Sequence, residues 1–243
     1  MPHYGSDLAL IHDEGFGRLA EGAARALIAE LHRLGTRHGT IVDVGCGSGI
    51  TARRLCDAGY TVLGVDSSDA LLDIARERAP RAVFRRGSFV DMDVPECVAA
   101  SAVGEVLNYR FDERNGRGAR CALFDRVFGS LAPGGVFLFD VAGPDRAPDR
   151  PTKSFVEGDG WTVLVETSTE AGELLRRIVT YRASGDLYRR DSELHRLQLV
   201  SPDEIESDLR GIGFEVERVE RYDDTPLLDG MHAFIARKAR RPS

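Results

Sequence analysis

One short segment limits what this chain can fold into more than any other: Ile41-Val42-Asp43-Val44-Gly45-Cys46-Gly47-Ser48-Gly49. An apolar run with strand character feeds directly into three glycines at alternate positions, and helix-type spacing begins at Ile50. Glycines at a strand-to-helix bend let the backbone turn sharply and leave bare main chain against which a ligand can lie. The helix that follows offers unpaired N–H groups and the positive end of its dipole. In open parallel sheets, ligands bind at the carboxyl ends of such strands.

The spacing differs from the dinucleotide fingerprint G-x-G-x-x-G, because counting from Gly45 the last glycine position falls on Ile50. A nicotinamide or flavin cofactor is therefore disfavoured. The next apolar run ends in Gly64-Val65-Asp66. A carboxylate at that strand end can accept hydrogen bonds from both hydroxyls of a ribose. The glycine bend followed one strand later by this acid is a stronger signal than either alone.

The rest of the chain supplies a matching rhythm. Apolar residues Phe16, Leu19, Ala23, Leu27, Leu31 and Leu34 recur at spacings of three and four, which predicts one helix over about 13–34. Strands are expected at 40–44, 60–65, 82–85, 98–103 and 136–141, with helices between them. Ser67 or Ser68 can cap the helix that runs to Ala79, and Pro133-Gly134-Gly135 reads as a stop and turn before the fifth strand. Residues 143–153 read as a loop. Alternating patterns at 161–167, 174–181 and 187–199 follow, separated by glycine turns, and predict an antiparallel meander. Ser201-Pro202-Asp203-Glu204 reads as a capping box that opens the last helix, before strands at 214–219 and 231–236. Strands alternating with helices imply right-handed parallel crossovers. The expected fold is α/β: a Rossmann-like, doubly wound, seven-stranded sheet, mostly parallel with an antiparallel last strand, plus a small antiparallel β insertion.

Charge and cysteine usage narrow the function classes. The chain has 243 residues with 39 Asp+Glu against 32 Lys+Arg, a net charge of −7. Such a surface repels phosphate backbones, so no nucleic-acid partner is expected. Cys46, Cys56, Cys97 and Cys121 include no C-x-x-C pair, which argues for reduced thiols and against a zinc site; no metal is expected. No run approaches the ~20 apolar residues that span a bilayer, and the start of the chain lacks a secretory pattern, so no membrane partner and a cytoplasmic location are expected.

These motifs resemble the class I S-adenosylmethionine-dependent methyltransferase family. Val42–Gly49 is similar to its first motif, Val65-Asp66 with the following helix to its second, and Arg86-Gly87-Ser88-Phe89-Val90-Asp91 to its third. Leu131–Val136 resembles the entry to its fifth strand, and Gly213-Phe214-Glu215 extends the likeness. The resemblance implies S-adenosyl-L-methionine as cofactor. It implies that Gly45, Cys46 and Gly47 approach the methionine and ribose portion while Asp43 orients the loop. By the same likeness Asp66 holds the ribose hydroxyls beside Ser67, Ser88 and Phe89 flank the adenine, and Gly104 lies at the fourth strand end. The family often has an acid where this chain has Ser88.

The fourth strand end, Ala102–Tyr109, faces the methyl group and the substrate in that family. It lacks the Asn/Asp-Pro-Pro-Tyr/Phe signature of nucleic acid base methylation, in keeping with the acidic charge. Transfer from a sulfonium is an in-line displacement that depends mainly on alignment, so no strong catalytic motif is required. Glu105 and His12 are the expected catalytic bases, and Asn108, Tyr109 and His195 the expected substrate contacts. The domain reading is an N-terminal helical lid over 1–39 and a methyltransferase domain over 40–243, with the β insertion at about 155–200. In similar enzymes that insertion carries lids or oligomer contacts, which leaves a homodimer open. The expected activity is methyl transfer to an O, N or C nucleophile of a small-molecule metabolite. The alternatives are a noncatalytic cofactor-binding module and an oxidoreductase with an unusual dinucleotide loop.

Overall fold

The computed structural model describes residues 3–240. Thirteen strands and six α-helices follow in chain order. Helix α1 (Ser6–Gly15) and α2 (Arg18–Arg33) precede β1 (Thr40–Val44), α3 (Ile50–Asp57), β2 (Thr61–Asp66), α4 (Asp69–Arg78), β3 (Val83–Arg86), β4 (Cys97–Ala102), α5 (Arg117–Ser130) and β5 (Leu131–Ala142). A second run contains β6 (Thr152–Gly158), β7 (Trp161–Glu170), β8 (Glu173–Ser184) and β9 (Leu187–Gln198). The chain returns through α6 (Pro202–Ile212), β10 (Phe214–Val219), the short pair β11 (Arg221–Tyr222) and β12 (Thr225–Pro226), and β13 (Met231–Lys238).

The main sheet has seven strands in the order β10-β13-β5-β4-β1-β2-β3. Strands β1 to β5 are mutually parallel, and β13 runs antiparallel to both β5 and β10. The strand order reverses at β1/β4, and the crevice at that switch point is where open α/β sheets bind ligands.

Both faces of the sheet are covered. On one, Phe124 and Val127 of α5 and Ile205 and Leu209 of α6 pack on Phe137, Phe139 and Phe234. On the other, Leu27 and Leu31 of α2 and Leu55 of α3 pack on Ile41, Leu138 and Tyr222. The aromatic contacts are close: the Phe139 ring centroid lies 4.5 Å from that of Phe137 and 5.2 Å from that of Phe234. Burial on both faces explains why β5 reads as an uninterrupted apolar run rather than an alternation.

The insertion is a separate four-stranded antiparallel sheet, β6-β7-β8-β9. Its inner face joins α1 through a small third core of Leu8, Ile11, Trp161, Val163 and Ile178.

Several local expectations are corrected. The single N-terminal helix is two, because the chain breaks at Phe16–Gly17 so that α1 can dock on the insertion while α2 packs on the main sheet. Strand β6 occupies part of the stretch read as loop; its residues are all exposed, so it carries no burial periodicity. The Pro133–Gly135 turn is absorbed into β5, where the register against β4 shifts between Cys97 and Ala99. Ser68 caps α4 by accepting from the Leu71 amide at 3.2 Å, as expected. Ser201 makes no side-chain cap bond, and the Glu204 carboxylate, the other half of the expected capping box, turns toward Arg117 and Arg120.

Phe139→Ala should lower unfolding stability by ~3–5 kcal/mol, since it empties the centre of an aromatic stack with little freedom to collapse. Urea denaturation measures this, and a loss below ~1 kcal/mol would contradict the packing described.

Candidate active site

The bend between β1 and α3 is built from left-handed glycines: φ is +65° at Gly45, +52° at Gly47 and +78° at Gly49. At Gly45 a Cβ would stand 2.5 Å from Val106, so the β4 loop closes directly on bare backbone. At Gly47 the corresponding space is open, which leaves main chain facing a cavity.

Asp66, at the end of β2, secures the bend. One carboxylate oxygen accepts the Gly47 amide at 2.9 Å and the other the Ser68 amide at 2.9 Å. Burial raises the Asp66 pKa above the ordinary carboxylate value, against the pull of those amides. One strand over, Asp43 is 2% exposed and accepts from the Ser101 hydroxyl at 2.7 Å. Its second oxygen has no partner among the described residues, and burial pushes its pKa up to about 7.

These groups open on a cavity of about 640 Å³, within the ~300–1,000 Å³ typical of small-molecule sites. Gly45, Gly47, Asp66 and Ser67 line one end, and Ser88 and Phe89 line the side. The other end is walled by Gly104, Tyr109 and Phe111 from the chain after β4 and by Tyr4 and His12 from the N-terminal segment. The donor set suits a nucleoside with a cationic tail. Bare backbone lies at Gly47 and Gly104, and an acid sits where a ribose diol can reach it.

The end of the cavity away from the glycine bend is aromatic. The Tyr4 ring sits 5.2 Å from His12, 5.0 Å from His195 and 6.4 Å from Tyr109, centroid to centroid. The Tyr4 and Tyr109 hydroxyls are 3.3 Å apart. Burial lowers the His12 pKa to about 4, so its imidazole is neutral through the physiological range.

The sequence-predicted residues divide into those the cavity gathers and those it does not. Gly45, Gly47, Asp66, Ser67, Ser88, Phe89, Gly104, Tyr109 and His12 line it. Asp43 lies beneath the bend, and the Cys46 thiol is buried, close enough to Gly64 that a Cβ there would meet it at 2.9 Å.

Glu105 was expected as a base, but it is not part of the cavity wall. It holds a left-handed backbone, φ +61°, because Asp140 draws in the Gly104 and Glu105 amides. Its carboxylate is paired with Arg176 at 2.6 Å and Arg146 at 2.8 Å. Burial opposes its ionisation, yet the two guanidiniums outweigh that and hold its pKa below the ordinary value. A carboxylate so occupied is a poor proton acceptor.

Asn108, expected at the substrate, is fully buried and ties the loop to the backbone of Ala142 and Gln198. His195 stands behind Tyr4 and Phe111, its Nε2 2.8 Å from Glu193. His3, Glu193 and His195 offer ligand atoms within 4.8 Å of one another. Both Glu193 oxygens already accept backbone amides, however, and His195 Nδ1 lacks, among the described residues, the acceptor that normally orients a metal-bound imidazole. Within the trio Glu193 and His195 form a hydrogen-bonded pair, and His3 stacks on Phe111 with ring centroids 4.0 Å apart.

Arg176 and Glu193 escaped sequence reasoning. The i, i+2 spacing of Glu193 and His195 does put them on one strand face. Which face turns inward depends on the pairing Arg176↔His195, which no local signal fixes.

The comparisons with known proteins agree with this geometry. Residues 41–135 match the family model of the methyltransferase domain. The chain is 28% identical over 230 residues to a dTDP-3-amino-3,6-dideoxy-alpha-D-glucopyranose N,N-dimethyltransferase of Streptomyces fradiae, covering 88% of this chain and 86% of that one. Its fold superposes on an S-adenosylmethionine-dependent methyltransferase from Clostridium acetobutylicum with a TM-score of 0.81 at 17% identity, covering 95% and 97% of the two chains. An amino pentose methyltransferase from Micromonospora echinaspora, solved with S-adenosylmethionine bound, gives 0.75 at 20% identity, covering 98% and 99%. Residues 41–135 carry a methyltransferase domain; the protein is an S-adenosylmethionine-dependent methyltransferase, and S-adenosylmethionine is its methyl donor.

Asp66→Ala should weaken S-adenosylhomocysteine binding at least ~10-fold, the equivalent of about 1.4 kcal/mol, because a charge-assisted contact to the ribose is lost. Calorimetric titration tests this; an unchanged affinity would remove Asp66 from the site.

Proposed function

We propose that this protein methylates an amine nitrogen of a small molecule, with an amino sugar as the acceptor class. The observation that carries this reading is the aromatic acceptor end formed by Tyr4, His12, Tyr109 and Phe111, with the charged run Asp112–Arg114 on the adjoining wall. A second dTDP-amino-sugar N,N-dimethyltransferase, from Saccharopolyspora spinosa, is 28% identical over 193 residues, covering 73% of this chain. It supports the same acceptor class.

When bound, S-adenosylmethionine supplies an electrophilic methyl on a sulfonium. The chain's own groups then have separable tasks. The Gly45–Gly47 backbone and Asp66 would hold the nucleoside and amino-acid ends, and Ser88 and Phe89 would border the base. Tyr4 and Tyr109 would orient the acceptor through their hydroxyls, whose burial keeps them protonated. The neutral His12 imidazole lines the cavity without adding a positive charge beside the cationic donor; its low pKa makes it a weak base, suited to hydrogen bonding the acceptor rather than to removing its proton. Enclosure by aromatic rings excludes water from the line of attack.

The N-terminal segment up to residue 39 acts in this reading as a lid on a methyltransferase domain, and the β insertion forms one wall of the acceptor site. A cytoplasmic location is supported by four free cysteines and by the lack, among the described residues, of a helix long and apolar enough to cross a membrane. A homodimer is supported by the outer face of the insertion. There Phe155 is 66% exposed and pairs across the sheet with Leu164, itself beside Val179, while Leu194 is 53% exposed. A contiguous apolar row of this kind favours association.

Two measurements test these readings. With S-adenosylmethionine present, nucleotide-linked amino deoxyhexoses should gain one or two methyl groups by mass spectrometry, whereas the matching hydroxy sugars should not; methylation of hydroxyl acceptors alone would overturn the amine assignment. Analytical ultracentrifugation should find a dimer that Leu164→Asp converts to monomer, and a monomeric wild type would refute the outer-face contact.

A further inference from the structure

Tyr4 is the most constrained residue of the N-terminal segment. Its backbone is left-handed, φ +53°, a conformation unfavourable for a side chain of this size. Nothing in the main sheet demands it. Three hydrogen bonds from three different parts of the fold hold it there. The Tyr4 amide donates to Glu193 of β9 at 2.8 Å. The Ser68 hydroxyl, at the cap of α4, donates to the Tyr4 carbonyl at 2.9 Å. The hydroxyl of Tyr4 meets that of Tyr109 at 3.3 Å. Strain held by convergent contacts at a cavity wall is a mark of a functional position.

Glu193 gathers more than the Tyr4 amide. Its other oxygen accepts the Gly5 amide at 2.8 Å, and His195 lies 2.8 Å away. One carboxylate on the inner face of the insertion thus binds two consecutive amides of an otherwise irregular segment. Ser68 approaches from the opposite side, and its own amide is donated to Asp66. The links therefore run unbroken from the glycine bend through Asp66, Ser68 and Tyr4 to Glu193.

We propose that Glu193 is a positioning residue. Its carboxylate clasps the N-terminal segment onto the insertion sheet and, together with Ser68, holds Tyr4 over the cavity. The segment docked in this way closes the exit of the nucleoside and completes the acceptor wall at the same moment. When the clasp is open, the Tyr4 ring leaves both His12 and Tyr109. The clasp is coupled to the cofactor end of the cavity, because the carboxylate that accepts the Ser68 amide is the one placed to meet the ribose. The inference rests on the cofactor site and not on the identity of the acceptor.

The protein carries its own reporter. Its single tryptophan, Trp161, donates to Glu14 of α1 at 2.7 Å and packs against Gly15, so its emission senses whether the segment is docked. The experiment uses full-length wild type, Glu193→Gln and Ser68→Ala, with S-adenosylhomocysteine as the probe. Stopped-flow Trp161 fluorescence gives the probe's dissociation rate, and amide hydrogen exchange reads the peptide over residues 3–15. Both variants should release S-adenosylhomocysteine roughly tenfold faster, as expected for losing a hydrogen bond to a charged or fixed group. Exchange in that peptide should speed up while the amides of β1 and β5 keep wild-type protection. Dissociation within about twofold of wild type in either variant overturns the clasp. So does faster exchange spread evenly through the sheet, which would mean general destabilisation. A wild type that fails to bind S-adenosylhomocysteine overturns the cofactor assignment itself.

Discussion

The fold hangs on the pairing of Asp66 with the glycine bend. A strand must turn into a helix within a few residues while leaving amides free for a ligand, and left-handed glycines make the turn sterically possible. They do not make it rigid, because glycine has the most conformational freedom to lose. The Asp66 carboxylate supplies the rigidity by accepting the Gly47 and Ser68 amides, which fixes the bend and the start of α4 together. The Val106 side chain closes the bend from the other side, at the one glycine where a Cβ could not fit beside it. The glycine end of the cavity and the docking of Tyr4 through Ser68 are both referred to this one contact.

Around it, buried charge is organised to hold loops rather than to do chemistry. Asp140 is fully buried and its pKa is pushed up to about 6, yet it accepts the Gly104 and Glu105 amides and the Tyr222 hydroxyl. That bends the backbone into the left-handed turn that sends the Glu105 carboxylate to Arg146 and Arg176. Arg176 belongs to the insertion, so this ion-paired centre bolts the small sheet to the end of β4. The same loop is zipped to β9 by the Tyr109↔Leu197 bridge and the Arg110 amide to the Arg196 carbonyl. Glu105, which looked most like a catalytic group, is therefore a joint between the β4 loop and the insertion.

How much of this was legible depended on how local each feature is. Strands β1, β2, β4 and β5 could be read because both their faces are buried, giving short apolar runs bounded by turn residues. Helix α4 could be read from its Ser68 cap. Strand β6 could not, since a fully exposed edge strand has no period to detect. The break between α1 and α2 was hidden because both halves carry apolar residues at compatible spacing and bury them against different partners. Glu105 was misplaced for a related reason. Its position in the chain is right for the site, but its side-chain direction is set by Asp140, thirty-five residues away.

The sequence by itself determined the sheet class, the switch-point bend, the acid on the neighbouring strand and, through them, the donor. Each of these is written in residues adjacent along the chain or one βα unit apart, where backbone sterics and strand periodicity suffice. Tertiary structure alone decided the aromatic end of the cavity and the groups behind it. Tyr4, His12, Tyr109, Glu193 and Arg176 come from segments far apart in sequence, and the register of an antiparallel sheet settles which of them face inward. A shift of one residue would turn Glu193 and His195 to solvent, and no local propensity forbids that shift; the packing of Trp161, Val163 and Ile178 on α1 does.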